Sequence, residues 1–377
     1  MSSGGTSAAF DSPKELWDMH GKSQKVKTDT SKDTKRSESS SSSSSSSFSS
    51  SMYSSISASC SSHISSNLSM TFSTLSIKKD ERIQFKLGQL CKNQGDLKNA
   101  IVHLKRAIQL GEKDSRVYVH LGDALRRLND FNNAKTYFEK AIALGQNNDF
   151  TNGALGEVLR LQGDDTYAKF YLDKAIQMNK NNRLAHANLG DILRRQQDFE
   201  SAKTHLKTAI RLGEATGFSH ANLGEILRIQ RDVNNAKIYL EKAVELDENS
   251  YLARVNLGEI LIQQLDFEKA KVHLKKALQL DKNSIFAHTL LGNALRHQRD
   301  FVTARQHLER AIELGKKYVF AHALLSDVLR HQEEYEKARV QVEIALSLDP
   351  DHDFAKIILQ EIQKNKLGQK PEEKKQG

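Results

Sequence analysis

The dipeptide Leu-Gly recurs along this chain with its glycine at positions 88, 122, 156, 190, 224, 258 and 292, and successive positions differ by 34 throughout. The next position in the series holds serine, in the matching context Leu325-Ser326-Asp327. Eight such units span residues 81–352. A fixed period of this size marks a repeat architecture, in which each unit is one small supersecondary element that buries its apolar face against its neighbours. The length of 377 residues would otherwise suggest two or three compact domains. The period predicts a single elongated one.

Each unit reads as two helices. In the fourth, Ala185, Leu189, Ile192 and Leu193 fall at i, i+4, i+7 and i+8, one face of an α-helix. Gln196-Gln197-Asp198 breaks the pattern, and Phe199, Ala202, Leu206, Ala209 and Ile210 resume it. Asp198 stands where a carboxylate can cap the second helix, and an acid holds that place in every unit, from Asp96 to Asp300 and then Glu334, a poorer cap. The second helices are expected to end near Gly111, Gly145, Gly213, Gly315 or Asn179, where a left-handed turn is cheap. Asp247, Asp281 and Asp349 fill that place in other units.

A glycine inside a helix costs ~0.5–1 kcal/mol relative to alanine. Seven copies make sense if bare backbone lets another helix come close. The second helices carry small residues in step: Ala100, Ala134, Ala168, Ala202, Ala236, Ala270, Ala304 and Ala338, each followed two turns later by a second alanine, from Ala107 to Ala345. Large residues such as Leu104, Phe138, Leu206 and Val342 lie between them. This is a pattern for antiparallel helix pairs stacked side by side.

The period, Leu-Gly in the first helix and Ala…Leu/Phe…Ala in the second resemble the tetratricopeptide repeat. The resemblance covers positions 81–352, most of the chain. It implies an all-α fold, a right-handed α-solenoid of stacked antiparallel helix pairs. Two features depart from the family pattern. The usual aromatic residue four before the glycine is Tyr118 once, and otherwise Gln84, Asn152, His186, His220, Arg254, His288 or His322. The usual proline near the unit end is Pro350 alone.

The flanks have another texture. From Ser37 to Ser76, more than half of the positions are serine, including the unbroken run Ser39 to Ser47. Such a stretch cannot bury enough apolar surface to offset its ordering entropy, so residues 1–80 are expected to be a disordered tail and lead-in. Residues 353–366, with Ala355, Ile358, Leu359 and Ile362, are expected to form the solvating cap helix of the array. A polar tail, 367–377, follows.

Chemistry-bearing motifs are scarce. Gly21-Lys22-Ser23 ends like a phosphate loop, but Leu16 stands where the earlier glycine belongs. His186, His220, His288 and His322 share one repeat position, and His103, His205, His273 and His307 share another. A metal needs several ring nitrogens within ~2.0–2.1 Å of one ion, whereas packed helices lie ~8–10 Å apart. The histidines therefore read as packed or solvated, with no metal and no cofactor expected. The two cysteines, Cys60 and Cys91, exclude a disulfide framework and fit a reducing compartment, cytoplasmic or nuclear. The repeats use up the folded part of the chain, so no enzyme is expected.

The repeats do offer a surface. Asn188, Asn222 and Asn256 align two residues before the glycine, and Asp191, Glu225 and Glu259 align one after it. Arg194 and Arg228 align three further on, Arg160 precedes them in the series, and Ile262 takes that place in the sixth unit. The resemblance implies that these positions line an inner groove holding an extended peptide, where a carboxamide can both donate to and accept from a peptide backbone. Arginine there would favour an acidic or phosphorylated partner. The competing reading is structural. The arginine column extends through Arg126, Arg296 and Arg330, with acids at Asp123, Glu157 and Asp327, so neighbouring units could satisfy each other.

The formal charge of +9 hints at nucleic acid until it is located. Residues 1–80 carry +2, residues 353–377 carry +2, and the eight repeats carry +5 with acids interleaved. Single-strand binders instead stack bases on exposed aromatics in a basic groove. The basic stretch Lys22 to Arg36 reads as a solvated linker. No run of ~18 apolar residues suggests membrane insertion, and no small-molecule substrate is suggested. The expected function is a protein-interaction scaffold or adaptor. The alternatives are a regulatory subunit of a larger complex, of the glycosyltransferase, ciliary or transport type, or a co-chaperone or cargo receptor. The carboxylate clamp of that last class needs lysine three before the glycine, and here the position is Phe85, Val119, Gly153, Ala187, Ala221, Val255, Thr289 or Ala323.

Overall fold

The computed structural model describes residues 80–213 and 216–368. The serine tract, the stretch Lys22 to Arg36 and residues 369–377 lie outside the described residues. Among the described residues there are seventeen helices and no strand. These residues fall into two compact bodies, 80–162 and 163–368.

The first body holds α1 (Glu81–Asn93), α2 (Leu97–Leu110), α3 (Arg116–Arg127), α4 (Phe131–Ala143) and α5 (Asp149–Leu161). The second opens with α6 (Asp165–Met178), α7 (Arg183–Arg195), α8 (Phe199–Arg211), α9 (Phe218–Ile229), α10 (Val233–Leu246) and α11 (Tyr251–Gln263). It continues with α12 (Phe267–Leu280), α13 (Ile285–His297), α14 (Phe301–Leu314), α15 (Val319–His331), α16 (Tyr335–Leu348) and α17 (Asp353–Gly368). Within each body, consecutive helices pack as antiparallel pairs.

The repeated glycines explain the pairing. A Cβ on Gly224 of α9 would stand 2.6 Å from Leu240 Cγ of α10, and one on Gly190 would stand 2.6 Å from Leu206 Cγ of α8. In each of these pairs a fully buried leucine lies against bare backbone. The alanines on either side of it, such as Ala236 and Ala243, are likewise fully buried and keep the two axes close.

The caps follow the acid series. Asp96, Asp130, Asp198, Asp232, Asp266 and Asp300 each accept from the backbone N–H three residues on. Glu334 makes no such cap and instead pairs with Lys337 and Arg305. Helix ends depart from expectation at Gly315 and Asn179. Gly111, Gly145 and Gly213 are left-handed, at φ 94°, 92° and 80°. Gly315 and Asn179 are extended, both at φ −145°. There the chain leaves through a turn closed three residues on, by Tyr318 N–H to Gly315 O at 3.0 Å and by Asn182 N–H to Asn179 O at 3.0 Å, so no left-handed residue is needed. The left-handed position lies instead in the turn inside each repeat. There Asn129, Gln197, Arg231, Leu265, Arg299 and Glu333 all have φ of 61–65°.

Candidate binding face

In each body the first helices of successive repeats touch one another, while the second helices make no comparable contact. The first helices therefore form the concave side of each stack. Asn188, Asn222 and Asn256 lie on α7, α9 and α11, and are 4%, 1% and 4% exposed. Each side-chain amide donates to the backbone carbonyl four residues earlier: Asn188 to Leu184 at 2.9 Å, Asn222 to Phe218 at 3.1 Å, and Asn256 to Leu252 at 2.9 Å. The ladder is thus anchored to its own helices. Asn222 Oδ1 is left without a hydrogen-bond partner among the described residues.

The charged columns meet between repeats. Arg194 bridges Asp191 at 2.8 Å and Glu225 of the next repeat at 3.0 Å. Arg228 bonds Glu259 at 2.8 Å, and Arg296 bonds Asp327 at 2.6 Å. The first body repeats the motif, with Arg126 between Asp123 and Glu157 at 2.8 Å each. Lys92 takes the arginine's place in the first repeat, 3.1 Å from Asp123. Glu361 of α17 takes the acid's place at the other end, 3.2 Å from Arg330. Arg160 stands at the equivalent position on α5. Burial alone would raise the Asp327 carboxyl, but the guanidiniums of Arg296 and Arg330 overcome it and hold the group below the usual carboxylate range. These arginines are therefore not free cations awaiting a phosphate. One cell of the ladder is missing both members: Ile262 replaces the arginine, and Asn293 replaces the acid opposite it.

The two histidine columns, separate in the sequence, come together. His186 Nδ1 lies 2.9 Å from His205 Nδ1, and His288 Nδ1 lies 3.0 Å from His307 Nδ1. His186 Nε2 faces the Lys180 carbonyl at 3.0 Å, and His288 Nε2 faces the Lys282 carbonyl at 3.2 Å. A carbonyl only accepts, so each Nε2 carries the proton and each Nδ1 accepts from its partner histidine. Among the described residues no group of three or more His, Cys, Asp or Glu could hold a metal ion.

Burial lowers His205, with His186 and Lys169 adding to it and Asp173 and Asp198 opposing. It lowers His307 likewise, with His288 and Lys275 adding and Asp300 opposing. His288 is lowered by burial and by Arg310, against the Lys282 carbonyl and Asp281. His297 falls from 6.5 to about 4 through burial and Arg296. The unfolded chain therefore binds these protons at higher pH than the folded chain. The stability involved is complete above about pH 6.5 and is lost as pH falls towards the folded values. Urea unfolding of the full chain should give a lower midpoint at each step down that range. His205→Tyr with His307→Gln copies the His220–Tyr239 and His322–Gln341 pairs of other repeats. This variant should flatten the slope, and an unchanged slope would reject the account.

One cavity of about 430 Å³ opens beside α14, α15 and α16, floored by Ile312, Leu325, Leu329 and Val340. Its rim arginine, Arg305, is engaged by Glu309 and Glu334 at 2.7 Å each, so the lining converges on no reactive group.

Family models described as Tetratricopeptide repeat match residues 81–114, 115–148, 185–214, 219–250 and 251–284, and a second of the same description matches 289–353. No curated protein sequence gives a match. Among solved structures, a chain of the APC/C hetero-tetramer Cut9–Hcn1 is 17% identical with a TM-score of 0.56. The match covers 76% of this chain and 56% of that one, so this chain spans little more than half its length. YrrB, described as a TPR protein with an unusual peptide-binding site, is 23% identical over 49% of this chain and 95% of that one, with a TM-score of 0.40. PilF of Pseudomonas aeruginosa is 21% identical over 58% of this chain and 97% of that one, with a TM-score of 0.49.

Proposed function

The chain belongs to the tetratricopeptide-repeat family, and we propose that it works as a non-catalytic scaffold that takes an extended segment of a protein partner on the face of its first helices. The observation that carries this reading is a register repeated on three touching helices. Asn188, Asn222 and Asn256 stand in line there, each beside an acid of the ladder. A peptide running across the helices would meet the same polar group once per repeat. Asn222 Oδ1 already lacks a partner there. The structural neighbour named as part of a hetero-tetramer favours the related form of this reading, a subunit held within a larger assembly.

The test is quantitative affinity capture with the full chain and with a variant carrying Asn188→Ala, Asn222→Ala and Asn256→Ala. Each lost amide was a second bond to a carbonyl, so the variant should lose only about 0.5–1.5 kcal/mol per site and remain helical. Partner recovery should fall about tenfold or more, equivalent to ~1.4 kcal/mol of binding. Unchanged recovery with an intact fold would remove the groove from the account.

A further inference from the structure

We infer that the chain's own N-terminal segment, Phe10 to Met19, docks on the inner face of the second body, along an apolar column that precedes the asparagines. This rests on the inner-face reading above and names a regulation of that face. Leu184, Asn188 and Asp191 fall at i, i+4 and i+7 on α7, one stripe of the helix. Phe218, Leu252 and Phe286 open the same stripe on α9, α11 and α13, and these four helices touch in succession. All four apolar side chains are half-buried. Phe320 and Phe354 continue the column on α15 and α17, and both are buried. In the first body the same repeat position holds Arg82, Arg116 and Phe150, so the fold itself accepts arginine there. A row of apolar side chains at a place that tolerates arginine serves a contact beyond the helix pairs.

The loops that open these helices add charge. Lys282 stands four residues before Phe286, and Lys316 and Lys317 stand just before Phe320. All three are exposed, and among the described residues none is in an ion pair. Glu214 and Glu248 hold the matching place before α9 and α11, so the positive charge gathers around α13 and α15. An occupant must therefore bring apolar side chains and acids together. Within residues 1–79 that combination occurs in one place. Phe10, Leu16, Trp17 and Met19 are interleaved there with Asp11, Glu15 and Asp18, against Lys14 alone. Lys22 to Arg36 is net basic, and the serine tract from Ser37 to Ser76 has Glu38 as its one acid, at its start. Neither can answer the lysines. About sixty residues separate Met19 from Asp80, and a flexible chain of that length spans roughly 40–45 Å. A segment tethered in this way binds as an intramolecular ligand, so a modest intrinsic affinity keeps it docked. Docked there, it covers the row that begins each asparagine stripe and competes with a partner segment.

Trp17 is the only tryptophan of the chain, so its emission reports on the segment in the full-length protein without a label. In the native chain it should emit to the blue of an end-blocked peptide of residues 8–21 and resist acrylamide quenching. Two variants locate the contact. Leu252→Arg with Phe286→Arg copies into the column the residue that α1 and α3 carry there. Lys316→Glu with Lys317→Glu changes exposed side chains only. Both should shift the emission to the red and restore quenching, with unchanged far-ultraviolet circular dichroism. Shielding in the wild type should weaken as salt is added. In the complementary measurement, a fluorescein-labelled copy of the 8–21 peptide is titrated into the full-length chain carrying Leu16→Ser, Trp17→Ser and Met19→Ser. It should bind about tenfold or more tightly than to the wild type, because the built-in competitor is disabled. Trp17 as red and as quenchable as in the peptide would mean a free segment. Shielding unchanged in a variant that stays helical would mean a contact elsewhere, and shielding that grows with protein concentration would mean a second copy. Each of these would overturn the inference. None of the measurements uses a partner, so the scaffold reading stands or falls separately, on the triple asparagine variant.

Discussion

Replacing Gly224 by valine should cost roughly 1–3 kcal/mol, because the new side chain has nowhere to go. Its Cβ would lie 2.6 Å from Leu240 Cγ, 2.8 Å from Leu240 Cδ2 and 3.3 Å from the Ala236 carbonyl oxygen. Leu240 is fully buried and cannot swing aside, and the carbonyl belongs to the backbone of α10. Hydrogen exchange is the suited measurement, since a stack held by nearest-neighbour contacts loses protection first where it is broken. Amides of α9 and α10 should exchange faster, and those of α14 and α16 should change least. The mechanism has its own control. Leu240→Ala alone should cost about 2–5 kcal/mol. Gly224→Ala combined with Leu240→Ala should cost less than the two single changes together, by more than about 1 kcal/mol, because the added methyl enters the space the leucine leaves. Strict additivity would show that the glycine is not there for the leucine.

This contact was legible in the sequence because glycine and leucine keep their places in unit after unit. One repeat could be checked against the next. The caps were legible for the same reason, and Glu334 stood out as the one that fails. Partners across the stack were harder to read. Arg228 and Glu259 belong to successive repeats, and both an i+3 pair within one helix and a pair between repeats fit the columns equally well. The structure shows Arg194 using both forms and Arg228 only the second. His186 with His205 and His288 with His307 keep one and the same offset along the chain, and that constant offset between two columns was the available signal. The asparagine bonds follow from helix geometry. A side chain on a helix leans towards the N-terminus, so a short carboxamide meets the carbonyl one turn back before it meets anything outside. Alignment of the three asparagines revealed the face but not the direction in which each amide points.

The ladder sets up a second large effect. Asp327→Ala should cost about 3–5 kcal/mol, because it removes the shared acceptor of two arginines in a closed environment. Arg296 is bonded to Asp327 at 2.6 Å and would retain the Asn293 side chain, at 3.1 and 3.3 Å, its contact to His297 and the face of the Phe354 ring at 5.6 Å, but no carboxylate. Arg330 would keep Glu361 at 3.2 Å. The penalty arises from a charge left without its partner, not from the attraction that is lost. Replacing both members of the cell should therefore be far milder than replacing one. The chain carries its own precedent, since Ile262 and Asn293 already occupy one cell and α11 and α13 still touch. Arg296→Ile with Asp327→Asn copies that cell into the next one. It should cost under about 1.5 kcal/mol in urea unfolding, while the single aspartate variant unfolds at markedly lower denaturant. If the double variant proved as damaging as the single one, the stack would depend on the charges themselves, and the neutral cell at Ile262 would need a different reason to exist.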